Sequence, residues 1–412
     1  VKAKSLFIGC ALLLSMTFPS KAQQPPDGEQ LQQLNQQLNI ERVEGYIVQP
    51  QRLEFDESLL QQLKIPEGFR ITVFAKDLGN PRNLAVGSDG TVYVTRREQG
   101  DVLALRDRNG DGRADQTVTV AKDVPYVNGI TIYKNRLYYV TDTKLYATDL
   151  ERDGKVGRPE VLINNIPDAG QHPNRTIGFG PDGMLYLSVG STCNACDEPN
   201  EEHATLLQAQ PDGKNRKIYA RGLRNTIGFA WHPETKELWG MDHGSDWRGD
   251  QQPPEELNLI QQERHYGWPF CWGDRRPDLY LPANPDGMTK QEFCSKTEPP
   301  VLTYTAHSAP LDLLFYTASQ FPQEYRNDAF VTMRGSWNRK PPAGYKLVRV
   351  RYQNGKPVAF EDFITGFLNA EGTAQFGRPV GLAIAPDGSL LFTDDTNGVI
   401  YRVSYVGKGG GQ

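Results

Sequence analysis

Cysteine, methionine and histidine are all scarce in this chain of 412 residues, at five, five and six copies. No C-x-x-C-H occurs, which argues against covalently attached haem. The single C-x-x-C, Cys193 to Cys196, has no second pair with which to complete a tetrahedral zinc site. Basic residues are outnumbered, 45 against 50 acidic ones, and no Lys/Arg run is present. That balance suits neither nucleic acid nor an anionic membrane surface. Long apolar runs are lacking too. SLFIGCALLLSMTF is too short for a comfortable bilayer span. Set behind Lys2 and Lys4 and ahead of Ser20-Lys21-Ala22, it reads as a secretory signal over residues 1–22, with Cys10 a bystander.

Loss of that signal takes Lys2, Lys4 and Lys21 with it, so the formal charge of −5 becomes about −8, a balance that by itself suggests a small neutral partner rather than nucleic acid or an anionic membrane. The expected location is secreted or periplasmic. Cys193, Cys196, Cys271 and Cys294 remain, and an even count in an exported protein favours disulfides over thiols. Of three possible pairings, proximity in the chain favours Cys193–Cys196 and Cys271–Cys294.

What the chain has in abundance is punctuation, with 40 glycines and 29 prolines, the mark of many short strands. Residues 23–68 form a Gln/Pro-rich arm, within which Asp56 is placed to cap a short helix, ESLLQQLK, that stops before Pro66. The core begins at Phe69. From there one unit recurs: an apolar strand, a tight turn and a second alternating strand. It is seen in NLAVGSDGTVYVTRR (83–97), GITIYKNRLYYVTDT (129–143), TIGFGPDGMLYLSVGS (176–191) and TIGFAWHPETKELWGMDHG (226–244). A longer fifth copy spans 311–336, and VGLAIAPDGSLLFTDDT (380–396) is the sixth. The spacing is about 50 residues, broken only where 265–310 inserts a long loop. Each copy leads into a third run, such as DVLALRD or VIYRVSY. The sixth ends near Tyr405 without a fourth strand, while RITVFAKDL (70–78) stands unpartnered upstream. The economical solution is an all-β, six-bladed β-propeller over residues 69–405, closed by its N-terminal strand so that no edge is left open. A flexible Gly-rich tail, 406–412, follows.

Gly178-Phe-Gly180-Pro-Asp-Gly183 matches G-x-G-x-x-G, but a strand follows it, so the dinucleotide reading fails. Asp107 to Asp115 has oxygen side chains at alternate positions like a calcium loop, yet Val118 stands where a bidentate Glu belongs. A turn between outer strands is the better reading, with a second Ca2+ as its alternative.

His172 directly precedes the third copy's inner strand and should project from the axial face. Arg224 and Asn225 hold the equivalent place one blade on, Arg378 does so in the last blade, and Arg334 ends a strand in the fifth. A base among cations around one mouth is a pattern that structure alone does not require. Arginines in that number suit a small polyanion, which they can hold bidentately. His243 and His307 are the runners-up as base. Gly244 and Ser245, in a loop after a strand, could turn carbonyls toward a hard cation.

With these motifs in view the chain resembles the soluble quinoprotein dehydrogenases of sugars and related aldehydes, the sorbosone dehydrogenases among them. The likeness runs from about Phe69 to Tyr405 and is most specific in QHPNRTIGFGPDG, GLRNTIGFAWHP and MDHGS…EELNLI…HYGWP. It implies a six-bladed propeller binding pyrroloquinoline quinone (PQQ) with Ca2+. It implies His172 as the general base that takes the substrate hydroxyl proton while hydride passes to the quinone. Arg224 and Asn225 resemble the residues that contact the quinone's reactive oxygens. Gly244 and Ser245 match the loop whose carbonyls hold the calcium, and Arg334 and Arg378 the cations for the cofactor's carboxylates. Ser245 replaces a proline of the glucose enzymes and Arg334 a lysine. Gln171 stands where those enzymes have Asp, and Val127 where they have a substrate-contacting Gln, so the cofactor chemistry carries over better than glucose specificity. The reading is therefore a PQQ-dependent sugar or aldehyde dehydrogenase that passes electrons to an external quinone or cytochrome. A calcium-dependent propeller lactonase and a non-catalytic, glycan-binding propeller are its alternatives.

Overall fold

The computed structural model describes residues 45–407 apart from Ala169 and Pro282. The expected signal, the first part of the arm and residues 408–412 of the tail lie outside the described residues. Among the described residues six four-stranded antiparallel sheets form the blades, beside two two-stranded ones, and each expected copy of the repeat supplies the inner two strands of one blade. Blade 1 runs through Pro81–Val86, Val92–Arg96, Asp101–Arg106 and Gln116–Ala121. Blade 2 opens with Ile130–Tyr133, blade 3 with Ile177–Phe179, blade 4 with Gly228–Trp231 and blade 5 with Pro310–Phe315. In blade 6, Pro379–Ile384, Leu390–Asp394 and Val399–Tyr405 are completed by Phe69–Ala75. That strand pairs antiparallel in the register Phe69↔Tyr405 and Ile71↔Val403. The ring is thus closed by the N-terminal strand, as the unpartnered run predicts.

The turns explain the recurring Asp-Gly. Asp89, Asp182 and Asp387 each accept a bond from the amide two residues on, at Thr91, Met184 and Ser389. The intervening glycines take φ of +84°, +73° and +87°, a region closed to most side chains. Blade 2 solves the same turn with Lys134 and Asn135, both at positive φ, the mark of a tight two-residue hairpin.

Blades are pinned to one another by hydroxyls. Thr95 Oγ1 donates to the Asn128 carbonyl at 2.6 Å, Thr332 Oγ1 to Val380 at 2.5 Å, and Thr393 Oγ1 to Arg82 at 2.6 Å. Inner strands also approach closely enough to require glycine: a Cβ on Gly381 would lie 2.4 Å from the Arg82 carbonyl oxygen. The apolar core fills the spaces between blades. The largest cluster, around Phe330, Phe363, Phe392 and Tyr401, also takes Leu53, Phe55 and Leu59 from the N-terminal segment. The helix expected there is a 3-10 helix, Glu57–Gln62, capped by Asp56 through the Ser58 amide.

The inserted loop lies inside blade 4, between Glu255–Leu259 and Leu302–Tyr304. It is stapled by the Cys271–Cys294 disulfide, and Cys193–Cys196 forms the second bridge. The Asp107–Asp115 loop joins the two outer strands of blade 1, and the Asp107 carboxylate accepts from the amides of Gly110, Asp111 and Gly112. That is a self-satisfied turn, remote from the axis. No helix among the described residues is long and apolar enough to cross a membrane.

Buried carboxyls give the fold a pH signature. Asp312, which joins blades 5 and 6 by accepting the Leu382 amide, is pushed up by burial to about 7, and Glu256 to about 8. Both keep their protons in the folded chain at pH values where the unfolded chain, near 4, has lost them. Their contribution is full below about pH 4 and disappears as pH rises through 7 to 8. His243 and His265, held down to about 4 by burial, act in the opposite sense but only below about 6.5. The thermal midpoint is therefore expected to fall between pH 6.5 and pH 9 in calorimetry. A midpoint that is flat or rises across that window would contradict protonated carboxyls in the core.

Candidate active site

A cavity of about 470 Å3 opens where the loops leading into the inner strands converge, lined by residues of blades 1, 3, 4, 5 and 6. His172, Arg224, Asn225, Gly244, Arg334 and Arg378 all line it. Ser245 is buried directly behind Gly244, its hydroxyl 3.3 Å from the Asn194 carbonyl. The structure therefore brings the seven expected residues together.

His172 is fixed through Nδ1, which lies 2.9 Å from both the Ser191 carbonyl and the Ser191 hydroxyl. A carbonyl can only accept, so in the neutral ring Nδ1 carries the hydrogen and Nε2 keeps the lone pair. Burial first, and the neighbouring Arg224 second, hold this imidazole down to about 3, so it is neutral at pH 7. The His172 backbone is held in turn by Arg175, which donates to its carbonyl at 3.0 Å and is fully buried. Gly190 packs against the root of the His172 side chain: a Cβ there would sit 2.6 Å from His172 Cβ and 3.0 Å from Asn225 Oδ1. The runners-up are less free. His243 uses Nε2 on the Pro310 carbonyl at 2.5 Å and offers Nδ1 to Asn225 Nδ2 at 3.4 Å. His307 uses Nε2 on the Gly249 carbonyl.

Arg224 and Asn225 owe their place to Asp242 at the end of the neighbouring strand. Its carboxylate accepts both their amides, at 3.0 and 2.8 Å, and the Thr226 hydroxyl at 2.9 Å. Asp394 does the same for the Arg378 amide at 2.8 Å. This repeat of one device explains why cations stand at similar places in two blades.

Across the cavity a single carboxylate, Asp395, serves two arginines. Arg82 Nη1 reaches it at 2.5 Å and Arg334 Nε at 2.9 Å, and Arg378 donates to the Arg334 and Gly335 carbonyls. Burial lowers Arg82 and Arg378 to about 10 without discharging them. Positive charge is therefore in excess. Of the five arginines that line the cavity, Arg82, Arg224, Arg334 and Arg378 each also leave donors uncommitted among the described residues. These are Nη1 of Arg224, Nη2 of Arg82, Nη1 of Arg378 and both terminal nitrogens of Arg334. On the blade 4 side, the Gly244 amide donates to Glu255, whereas the Gly244 and Ser245 carbonyls accept no hydrogen bond from the described residues.

Arg82, Asp395, Asn194, Asp246, Trp247 and Trp337 also line the cavity, and the sequence reading passes over them. Arg82 lies within its strand, a position that the repeat reserves for core residues such as Ile227 and Val380. Asp395 is hidden beside the capping Asp394. Asn194 sits in the CNAC run, where it reads as a spacer between two cysteines.

Comparison with known proteins gives these features a context. The sequence profile of the TrAA12-like family matches residues 63–406. The aldose sugar dehydrogenase of Escherichia coli is 29% identical over 275 residues, 61% of this chain and 65% of that protein. Among solved structures, a calcium structure of the Trichoderma reesei enzyme of carbohydrate-active enzyme family AA12 superposes with a TM-score of 0.72 at 22% identity, covering 83% of this chain and 97% of that one. The holo form of the pyranose dehydrogenase PQQ domain from Coprinopsis cinerea superposes with a TM-score of 0.70 at 21% identity, covering 87% and 100%. At such identities these likenesses speak for the fold.

Proposed function

The chain belongs to the TrAA12-like family, and from that premise we propose that it oxidises a sugar or sugar-derived aldehyde, using PQQ with Ca2+. The observation that carries this reading is that four of the five arginines lining one cavity, Arg82, Arg224, Arg334 and Arg378, have donors to spare. A tricarboxylate quinone is the kind of polyanion such a set fits. The free carbonyls of Gly244 and Ser245 fit a hard cation beside it. PQQ, when bound, supplies a hydride acceptor whose electrophilicity a Ca2+ ion enhances.

The chain's own groups do the rest. His172 Nε2 accepts the proton of the substrate hydroxyl, with Nδ1–H kept on Ser191 so that the tautomer is the useful one. Arg224 presents Nη1 to oxygen on which negative charge develops. Asn225 is oriented by His243. Arg334 and Arg378 anchor carboxylates, with Arg82 beside them.

The test is to titrate purified apo-protein with PQQ in Ca2+ and follow dye reduction with a panel of aldoses, sorbosone and simple aldehydes. Saturable, Ca2+-dependent activation near one equivalent is expected. Absence of both binding and reduction would overturn the quinoprotein reading.

A further inference from the structure

The Cys193–Cys196 loop is more than a staple. Asn194, enclosed within it, touches three parts of the site at once. Its carbonyl accepts from Arg224 Nε at 3.0 Å, Trp268 Nε1 at 3.2 Å and the Ser245 hydroxyl at 3.3 Å. Its side-chain oxygen accepts from Arg224 Nη2 at 3.0 Å and the Asp246 amide at 2.7 Å, and Nδ2 returns a bond to the Asp246 carbonyl at 3.0 Å. Asp246 closes the circle with Arg224 Nη2 at 3.0 Å. One residue before Asn194, the Cys193 carbonyl accepts from the Ser191 hydroxyl at 2.8 Å, and that hydroxyl lies against His172 Nδ1. Glu198 ties the far side of the loop down through the Thr192 amide and hydroxyl.

Backbone and side chain of one asparagine thus occupy two of the three nitrogens of Arg224, a residue that lines the cavity, and leave Nη1 without a hydrogen bond among the described residues. A loop of this size without a cross-link could populate several conformations, and the bridge removes them. The Asp246 backbone, which follows the Gly244–Ser245 carbonyls directly, is fixed by the same side chain.

We infer that Asn194, held by the Cys193–Cys196 bridge, is a positioning residue for the reaction, setting where the Arg224 guanidinium points and securing the Gly244–Asp246 loop. This rests on the quinoprotein reading. The role is indirect, so its loss should appear in turnover more than in binding. Displacement of an oriented charged group by a fraction of an ångström is costly to the reacting geometry, and removal of such supporting partners typically costs about 10- to 100-fold.

The experiment compares wild type, Asn194→Ala and the double variant Cys193→Ser/Cys196→Ser in two measurements. In the PQQ- and Ca2+-loaded enzymes, Asn194→Ala is expected to lower kcat about 10- to 100-fold, while KM and the Kd for PQQ stay within about threefold. In the unloaded proteins, the Arg224 guanidinium N–H signals in NMR are expected to exchange with solvent faster in both variants, because Asn194→Ala removes an acceptor of Nη2 and the double variant loosens the loop whose carbonyl accepts from Nε. A kcat within about twofold of wild type, or an exchange rate unchanged in both variants, would overturn the inference. Should Asn194→Ala fail to fold, the double cysteine variant carries both readouts. A wild type that reduces no dye with PQQ would instead sink the quinoprotein reading, and the exchange comparison would still judge the link between Asn194 and Arg224.

Discussion

Replacing His172 with alanine is expected to lower kcat by about 10²- to 10⁴-fold, the usual contribution of a positioned general base, while PQQ still binds near one equivalent. Both halves of that expectation follow from geometry. The imidazole is a neutral ring whose Nδ1–H is spent on Ser191, so the nitrogen left to act is Nε2. It shares no hydrogen bond with the arginines, and its removal leaves every guanidinium partner in place. Steady-state assays paired with a spectrophotometric PQQ titration separate the two effects. Turnover within tenfold of wild type would remove His172 from the role. His243 would be a poor successor, because its Nε2 is bound to Pro310 and its Nδ1 faces Asn225. Loss of PQQ binding together with turnover would make His172 a cofactor contact instead.

The second large effect is expected at Arg334. Arginine-to-alanine replacement there should weaken PQQ binding by about 2–5 kcal/mol, or roughly 30- to several-thousand-fold in Kd, the cost of removing one member of a desolvated charge pair. At saturating PQQ, kcat should stay within about threefold, because Arg334 lies in blade 5 and shares no hydrogen bond with His172 among the described residues. The replacement does not strand its partner, since Asp395 keeps Arg82 Nη1 at 2.5 Å. Burial alone would raise Asp395, and its carboxyl is nevertheless held below the usual range by Arg334 and Arg82. Arg334→Lys should recover part of the affinity, keeping the charge but losing the fork. The measurement is a fluorescence titration of both variants with PQQ. An unchanged Kd in Arg334→Ala would mean that this cation does not meet the cofactor, and Arg378 and Arg82 would then be the groups to test.

These two variants are built to fail differently, one in turnover and one in affinity. A variant set that failed uniformly would point to a damaged fold rather than to distinct roles. The Asn194 variants add a third pattern, in which slower turnover accompanies faster exchange at Arg224.

Much of this was written in short-range signals. The period-2 strands, the Asp-Gly turns and the third run after each copy depend on neighbours two to four residues away, which is why six units could be counted from the sequence. The same spacing put His172, Arg224, Asn225 and Arg378 at the ends of inner strands, and ring closure by Phe69–Ala75 followed from one strand lacking a partner. Even the two disulfides were favoured by proximity alone. The motifs at 172, 224 and 244 were legible for the same reason: each is a run of adjacent residues.

What no local pattern could contain is the pairing across blades. Asp395 meets Arg82 from 313 residues away and Arg334 from 61, and Asn194 meets Asp246 across 52. Such pairs have no fixed spacing, because each depends on how far the ring turns before it closes. Asp395 reads in sequence as one more acid in a turn, Arg82 as a misplaced charge in a core strand and Asn194 as a spacer between cysteines. By itself the sequence determined that six blades exist and which strand ends carry charge, since backbone periodicity and turn chemistry are local. Only the tertiary structure decided which of those ends share a cavity, which nitrogens remain free in it and which residue holds Arg224 in place, because these follow from closing the ring.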